Sequence, residues 1–168
     1  MKYLPYEHFY IDTQLKPNEV QKIMEKEISP RSNRFLDFGR STKGTYFKGY
    51  VMNDEFQFEP DISGRNSFNP QIKGSISAYE NGSRVIVKMT IHPGVWVFIG
   101  FAFFFLTITG LSILVSEMKK GQIGFPVFAP LLMLAFVYLL TTLCYKSESI
   151  PAKDKLTGLL KGEITYLK

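Results

Sequence analysis

Cysteine and histidine are nearly absent from this 168-residue chain, which has one cysteine, Cys144, and two histidines, His8 and His92. A single cysteine excludes an internal disulfide, and the chain lacks the paired cysteines and histidines of a structural zinc site. It also contains no Gly-x-Ser-x-Gly element and no phosphate-binding loop. These absences predict a protein without catalytic residues, a metal site or a cofactor.

Charge is missing from two long stretches, although charged residues make up 21% of the whole sequence. Residues 93–116 and 121–145 contain no Asp, Glu, Lys or Arg. A helix needs about twenty apolar residues to cross a bilayer core of about 30 Å. The pattern predicts a transmembrane helical hairpin at residues 94–145, with spans at 94–115 and 125–145 joined by a short connector.

Burial in a soluble core is the alternative for these two stretches. Two helices that are apolar on every side would need much surrounding protein, and only a small polar remainder is present. Neither span contains an ionisable residue, which argues against an ion or proton pathway. Cys144, near the end of the second span, fits either an acylation site or a small residue that packs between helices.

Lysine and arginine indicate the orientation of the spans. The first residues contain no apolar run long enough for a signal peptide, so we expect the N-terminal domain to stay in the cytoplasm. Positive residues near spans favour the cytoplasmic side, and they are more numerous beside the terminal regions (Arg84, Lys88, Lys146, Lys153, Lys155) than in the connector (Lys119, Lys120). We therefore expect a multi-pass protein of the inner (plasma) membrane with both termini cytoplasmic.

Residues 1–93 predict a small cytoplasmic α+β domain of antiparallel strands with one or two covering helices. A helix is indicated at residues 17–28, where the apolar side chains recur on one face (Val20, Ile23, Met24, Ile28). Alternating apolar and polar residues predict strands around residues 9–12, 45–51, 55–59 and 71–91. The last of these is a hairpin whose turn we assign to Asn81-Gly82.

Residues 146–168 predict a cytoplasmic helix and tail. Between Pro151 and Lys161 three leucines fall on one face, and Gly162 is placed to end the helix. An apolar stripe needs a partner, so we expect this segment to pack on residues 1–93, with the tail adding a last strand. The membrane hairpin would then be an insertion into one split domain; a free tail is the alternative.

The stretch from Arg65 to Gly74 reads RNSFNPQIKG and is followed by Gly82 in a turn and His92-Pro93 at the entry to the first span. This pattern resembles uncharacterised small bacterial two-helix membrane proteins that share an R-N-S-F-x-P-x-I-x-G motif. More loosely, the chain is similar to the YcxB-like membrane proteins, which pair a membrane hairpin with a small cytoplasmic domain. The resemblance implies a topology and transfers no biochemical role.

Two short segments are candidate sites. The loop formed by Arg65, Asn66, Ser67 and Phe68 offers side chains suited to contact with a lipid phosphate, a ligand or a protein. Its alternative role is structural, with Asn and Ser capping backbone groups. His92-Pro93 is either a proton-sensitive joint at membrane entry or a strand terminator.

These observations favour a non-enzymatic membrane protein whose cytoplasmic domain binds a lipid, a small ligand or a protein partner at the inner leaflet. The expected partners include membrane lipids and either another protein or a second copy of the chain. The net charge of +5 suits an anionic leaflet and is too dispersed for nucleic acid. The alternatives are an immunity protein against a toxin and an enzyme acting on lipid head groups.

Overall fold

The computed structural model describes residues 4–30, 45–61, 66–121 and 124–166. The chain divides into two compact units. Residues 1–92 and 145–168 form the first, which we call the sheet unit, and residues 93–144 form the second, which we call the helical unit.

Seven strands and three α-helices make up the described chain. The strands are β1 (Tyr6–Thr13), β2 (Ile28–Pro30), β3 (Phe47–Met52), β4 (Glu55–Pro60), β5 (Gln71–Tyr79), β6 (Gly82–Thr90) and β7 (Glu163–Tyr166). The helices are α1 (Pro17–Glu27), α2 (Pro93–Lys119) and α3 (Ala129–Leu160), with a 3₁₀ turn at Phe125–Phe128 before α3. The strands form one sheet in the order β2-β3-β4-β5-β6-β1-β7.

The sheet confirms the α+β class but is mixed, so the expectation of purely antiparallel strands is wrong at one edge. β2 and β3 run parallel, with Ile28 opposite Phe47. The sequence pattern places Ile28 in the helical stripe, whereas its backbone is extended (φ −106°, ψ 118°). Its side chain is buried, as the helical stripe also required, and a three-residue strand leaves almost no periodicity to detect.

One face of the sheet carries the apolar core, and we call the opposite face the outer face. Alternation along the strands places the large apolar side chains of β1 and β4–β6 on the core face (Phe9, Ile11, Phe56, Phe58, Ile72, Ile76, Val85, Val87, Met89). Val20 and Met24 are the buried residues of α1, which contacts β3, β5 and β6. Ile23, the third residue of the predicted stripe, is only half-buried.

The β5–β6 turn lies one residue earlier than predicted. Tyr79 pairs with Gly82, so Glu80 and Asn81 are the two turn residues, and Glu80 has the positive φ of 50°. Gly82 is needed for a different reason. A Cβ atom there would lie 2.0 Å from the carbonyl oxygen of Thr13, so only glycine permits this close approach of the two chains.

The helix predicted to begin at Pro151 is instead the last part of α3, which passes through Pro151 without ending. A proline inside a helix removes one backbone hydrogen bond, which explains the sequence-based expectation. Beyond it, Ala152, Leu156 and Leu160 are all buried. The continued burial of these side chains offsets the lost hydrogen bond. After α3, β7 pairs antiparallel with β1.

The helical unit contains α2 and the first part of α3. Two helical segments, Pro93–Lys119 and Phe125–Leu160, are long and apolar enough to cross a membrane. In the most apolar stretch of α2, no residue is buried within the protein. In the most apolar stretch of Phe125–Leu160, 11% of the residues are buried. Large side chains such as Phe98, Phe104 and Leu132 are more than half exposed.

Candidate functional site

The loop predicted to make contacts is described from Asn66 onward; Arg65 lies outside the described residues. The side-chain oxygen of Asn66 accepts a hydrogen bond from the backbone N–H of Phe68 at 3.0 Å, and its side-chain nitrogen donates to Glu148 of α3 at 3.1 Å. Asn66 thus closes a turn and ties it to α3. Ser67 is exposed, and the contact role of this loop stays a prediction.

His92 and Pro93 lie between β6 and α2. His92 is exposed and follows the end of β6 by two residues, and Pro93 is the first residue of α2. Proline suits that position, because the first helical N–H has no intrahelical partner. The proton-sensitive role of this joint stays a prediction.

A buried ion cluster centred on Glu7 was not foreseen from the sequence. Glu7 lies on the core face of β1 with 6% of its surface exposed. Lys146 and Lys153, both on α3, donate to its two carboxylate oxygens at 2.5 and 2.8 Å. The hydroxyl of Ser149 lies 3.5 Å from one of them. We call these four residues the Glu7 clamp.

The two lysines decide the protonation state of the Glu7 clamp. Burial alone would raise the pKa of Glu7, but the hydrogen bonds and charges of Lys146 and Lys153 outweigh burial and lower it. Burial alone would lower the pKa of Lys153, and Glu7 raises it instead. The carboxylate and the ammonium of Lys153 are therefore both charged at neutral pH, as a structural ion pair requires.

Two further hydrogen bonds fix α3 to the sheet unit. The hydroxyl of Tyr145 donates to the carbonyl oxygen of Met89 at 3.1 Å, and the hydroxyl of Thr13 donates to that of Leu160 at 2.7 Å. They lie at the two ends of the α3 segment that belongs to this unit. One signal for this packing was available: Glu7 alternates with Phe9 and Ile11, which places a charge on an apolar face.

A separate ion pair lies on the outer face, between Arg84 and Asp12. Arg84 of β6 donates two hydrogen bonds to Asp12 of β1, at 2.6 and 3.0 Å. Its guanidinium group also lies 3.5 Å from the ring centre of Tyr79. The hydrogen bonds from Arg84 lower the pKa of Asp12 despite its partial burial. The negative charge of Asp12 therefore compensates the positive charge of Arg84.

Beside this pair, three basic side chains cross the outer face in one row. His8 of β1 is opposite Lys88 of β6, which is opposite Lys73 of β5. Both lysines are exposed. Burial and the charge of Lys88 lower the pKa of His8, so its imidazole is neutral at pH 7. Its Nε2 atom has no hydrogen-bond partner in the described part of the chain.

Comparisons with known proteins add no family to this description. No protein-family model matches the chain, and no match was found among curated proteins or solved structures.

Proposed function

We propose that this chain is a non-enzymatic integral membrane protein whose sheet unit binds a lipid, a small ligand or a protein partner at the cytoplasmic surface. In this proposal α2 and the apolar part of α3 cross the bilayer, and both termini are cytoplasmic. The observation that most supports the membrane anchor is the exposure of α2, whose most apolar stretch has no buried residue. Burying apolar surface is worth about 25 cal/mol per Å², so such a helix is far more stable in lipid than in water.

The ionised state of the buried carboxylate argues against one enzymatic role, that of a general acid. A general acid that works near neutral pH needs a raised carboxyl pKa, whereas Lys146 and Lys153 lower the pKa of Glu7. On the outer face, Asp12 is likewise held ionised by Arg84. Both carboxylates act as fixed partners of cations, which suits a rigid scaffold.

Alkaline extraction of membranes tests the anchor. The chain should stay in the membrane pellet after washing with carbonate at about pH 11 and enter the soluble fraction only with detergent. A peripheral membrane protein in the same preparation is the control, and it should be released. Release of this chain by the alkaline wash would overturn the proposal.

A further inference from the structure

Nine side chains on β1, β6 and β5 form three rows of the outer face, and none of them is acidic. The rows are Tyr6-Thr90-Gln71, His8-Lys88-Lys73 and Tyr10-Ile86-Ser75. We call these nine residues the lysine patch. It contains two positive charges, from Lys73 and Lys88, and no negative one.

The lysines of this patch differ from the other cations of the outer face. Lys48 pairs with Glu59 and Asp61 at 3.7 and 3.6 Å, and Arg84 pairs with Asp12. Neither lysine of the patch has an ion pair among the residues that the structure describes. They are instead directly opposite each other on neighbouring strands, where like charges repel. An anion bound between them would relieve that repulsion.

The boundaries of the patch are also defined by charge. Acidic residues of the outer face border the patch on two sides. On β4, Glu55 is opposite Ser75, and Glu59 is two residues from Gln57, the partner of Lys73; on β7, Glu163 is opposite Asp12. Toward the β5–β6 turn, Asp12 is already occupied by Arg84. The region attractive to an anion is therefore confined to β1, β6 and β5.

Tyrosines complete the patch. The rings of Tyr6 and Tyr10 meet the imidazole of His8 edge-on, with centroids 6.5 and 6.0 Å apart. Tyrosine has an apolar ring and a polar hydroxyl, and for this reason it is favoured at the level of lipid head groups. Neutral His8 adds no further positive charge. The combination of unpaired lysines with tyrosines is typical of a surface that meets a bilayer.

The patch is close along the chain to the apolar helices. Lys88 is two residues before the end of β6, and α2 begins three residues after that end. We infer that the lysine patch binds the phosphate groups of acidic phospholipids in the bilayer that holds α2. This inference rests on the proposed function. A tether this short raises the effective concentration of head groups around the patch.

Lipid binding by the full-length chain in a neutral maltoside detergent tests the inference. The probes are fluorescent phosphatidylglycerol, which is anionic, and fluorescent phosphatidylcholine, which has no net charge, both followed by anisotropy. A lysine near an anionic surface strengthens binding about five-fold. The variant Lys73→Gln/Lys88→Gln should therefore bind phosphatidylglycerol about 25-fold more weakly than the wild type and bind phosphatidylcholine as before.

A matched control removes the same charge elsewhere. Lys22 and Lys26 are exposed on α1, so Lys22→Gln/Lys26→Gln should bind phosphatidylglycerol like the wild type. The melting temperature of the patch variant should be unchanged or slightly higher, because a repulsion is removed. If the double variant does not fold, the single variants Lys73→Gln and Lys88→Gln replace it, and each should bind phosphatidylglycerol about five-fold more weakly than the wild type. The preference of the wild type for phosphatidylglycerol should also fall steeply between 50 and 500 mM salt.

Four results would overturn the inference. They are equal binding of both lipids by the wild type, equal loss in the two double variants, displacement of phosphatidylglycerol by millimolar inorganic phosphate, and tighter binding of an acidic peptide than of the lipid. Displacement by inorganic phosphate would indicate that the patch binds a soluble anion. Tighter binding of the acidic peptide would indicate that the patch binds a protein. If one of these four results occurs while all variants stay in the membrane pellet after the alkaline wash, the proposed anchor stands and only the lipid inference fails.

Discussion

At the scale of single residues, Glu7 ties β1 to α3 in the sheet unit. It lies on the core face of β1, where its neighbours Phe9 and Ile11 are fully buried. A carboxylate is stable there because Lys146 and Lys153 meet both of its oxygens. Loss of one member of such a cluster leaves the opposite charges buried and unpaired. We therefore expect Glu7 to have a larger effect on stability than an exposed carboxylate.

We expect Glu7→Gln to lower the free energy of unfolding by about 2 kcal/mol at pH 7. The figure is below the usual range for a fully buried pair because both lysines retain some contact with water. Glu163→Gln removes an exposed carboxylate of β7 and should change stability by less than about 0.5 kcal/mol. Thermal unfolding of the full chain in detergent measures both. Equal effects of the two substitutions would contradict the Glu7 clamp.

The stability that Glu7 provides should depend on pH. Its pKa is lowered on folding, so its contribution is fully present above the unfolded-state pKa of about 4.3 and is lost as the pH falls through the folded-state pKa. The stability difference between wild type and Glu7→Gln should therefore be largest near pH 7 and shrink below about pH 4. Asp12 titrates in the same direction in both proteins, so the comparison isolates Glu7. A difference that grows on acidification would contradict this assignment.

At the scale of elements, α3 joins an apolar stretch to a segment that completes the sheet unit. Leu156 and Leu160 of that segment are buried, whereas Leu159 is only half-buried. β7 then adds to the sheet beside β1. The polar part of α3 is therefore held in the sheet unit by its buried leucines and by the Glu7 clamp. The strand that follows it, β7, adds its pairing with β1.

Leucine truncations test how far α3 contributes to the sheet unit. Leu156→Ala should lower the free energy of unfolding by about 3 kcal/mol, since a fully buried leucine leaves a cavity. Leu159→Ala removes the same atoms from a half-exposed position and should cost about 1 kcal/mol or less. Limited proteolysis of residues 4–30 should accelerate only in Leu156→Ala. Unchanged protection in both variants would show that this segment does not support the sheet.

The sequence predicted those elements whose pattern is local. Alternation indicated β1 and β3–β6, the helical period indicated α1, and the lack of charge indicated the two apolar stretches. β2 was missed because three residues carry no period and its partner β3 is distant in sequence. The continuity of α3 was missed because Pro151 opposes a helix locally and only distant packing overrides it. The Glu7 clamp was missed for the same reason, since Glu7 is more than 130 residues from Lys146 and Lys153.

At the scale of the whole molecule, the helical unit is inserted between two parts of the sheet unit. The chain leaves the sheet after β6, passes through α2 and returns along α3, and the two flanking parts of the chain together form one α+β unit. We propose that the helical unit lies in a bilayer; because both of its ends join the same unit, the number of crossings in that proposal must be even. Our account has two, with the connector around Lys120 on the opposite side from the termini.

Cysteine labelling in intact cells tests this account most directly. In a Cys144→Ser background, Lys120→Cys reports the connector and Lys155→Cys reports the sheet unit; both lysines are exposed. We expect a membrane-impermeant maleimide to label Lys120→Cys in intact cells and to label Lys155→Cys only after permeabilisation. Labelling of Lys155→Cys in intact cells, or protection of Lys120→Cys until the membrane is opened, would contradict the account.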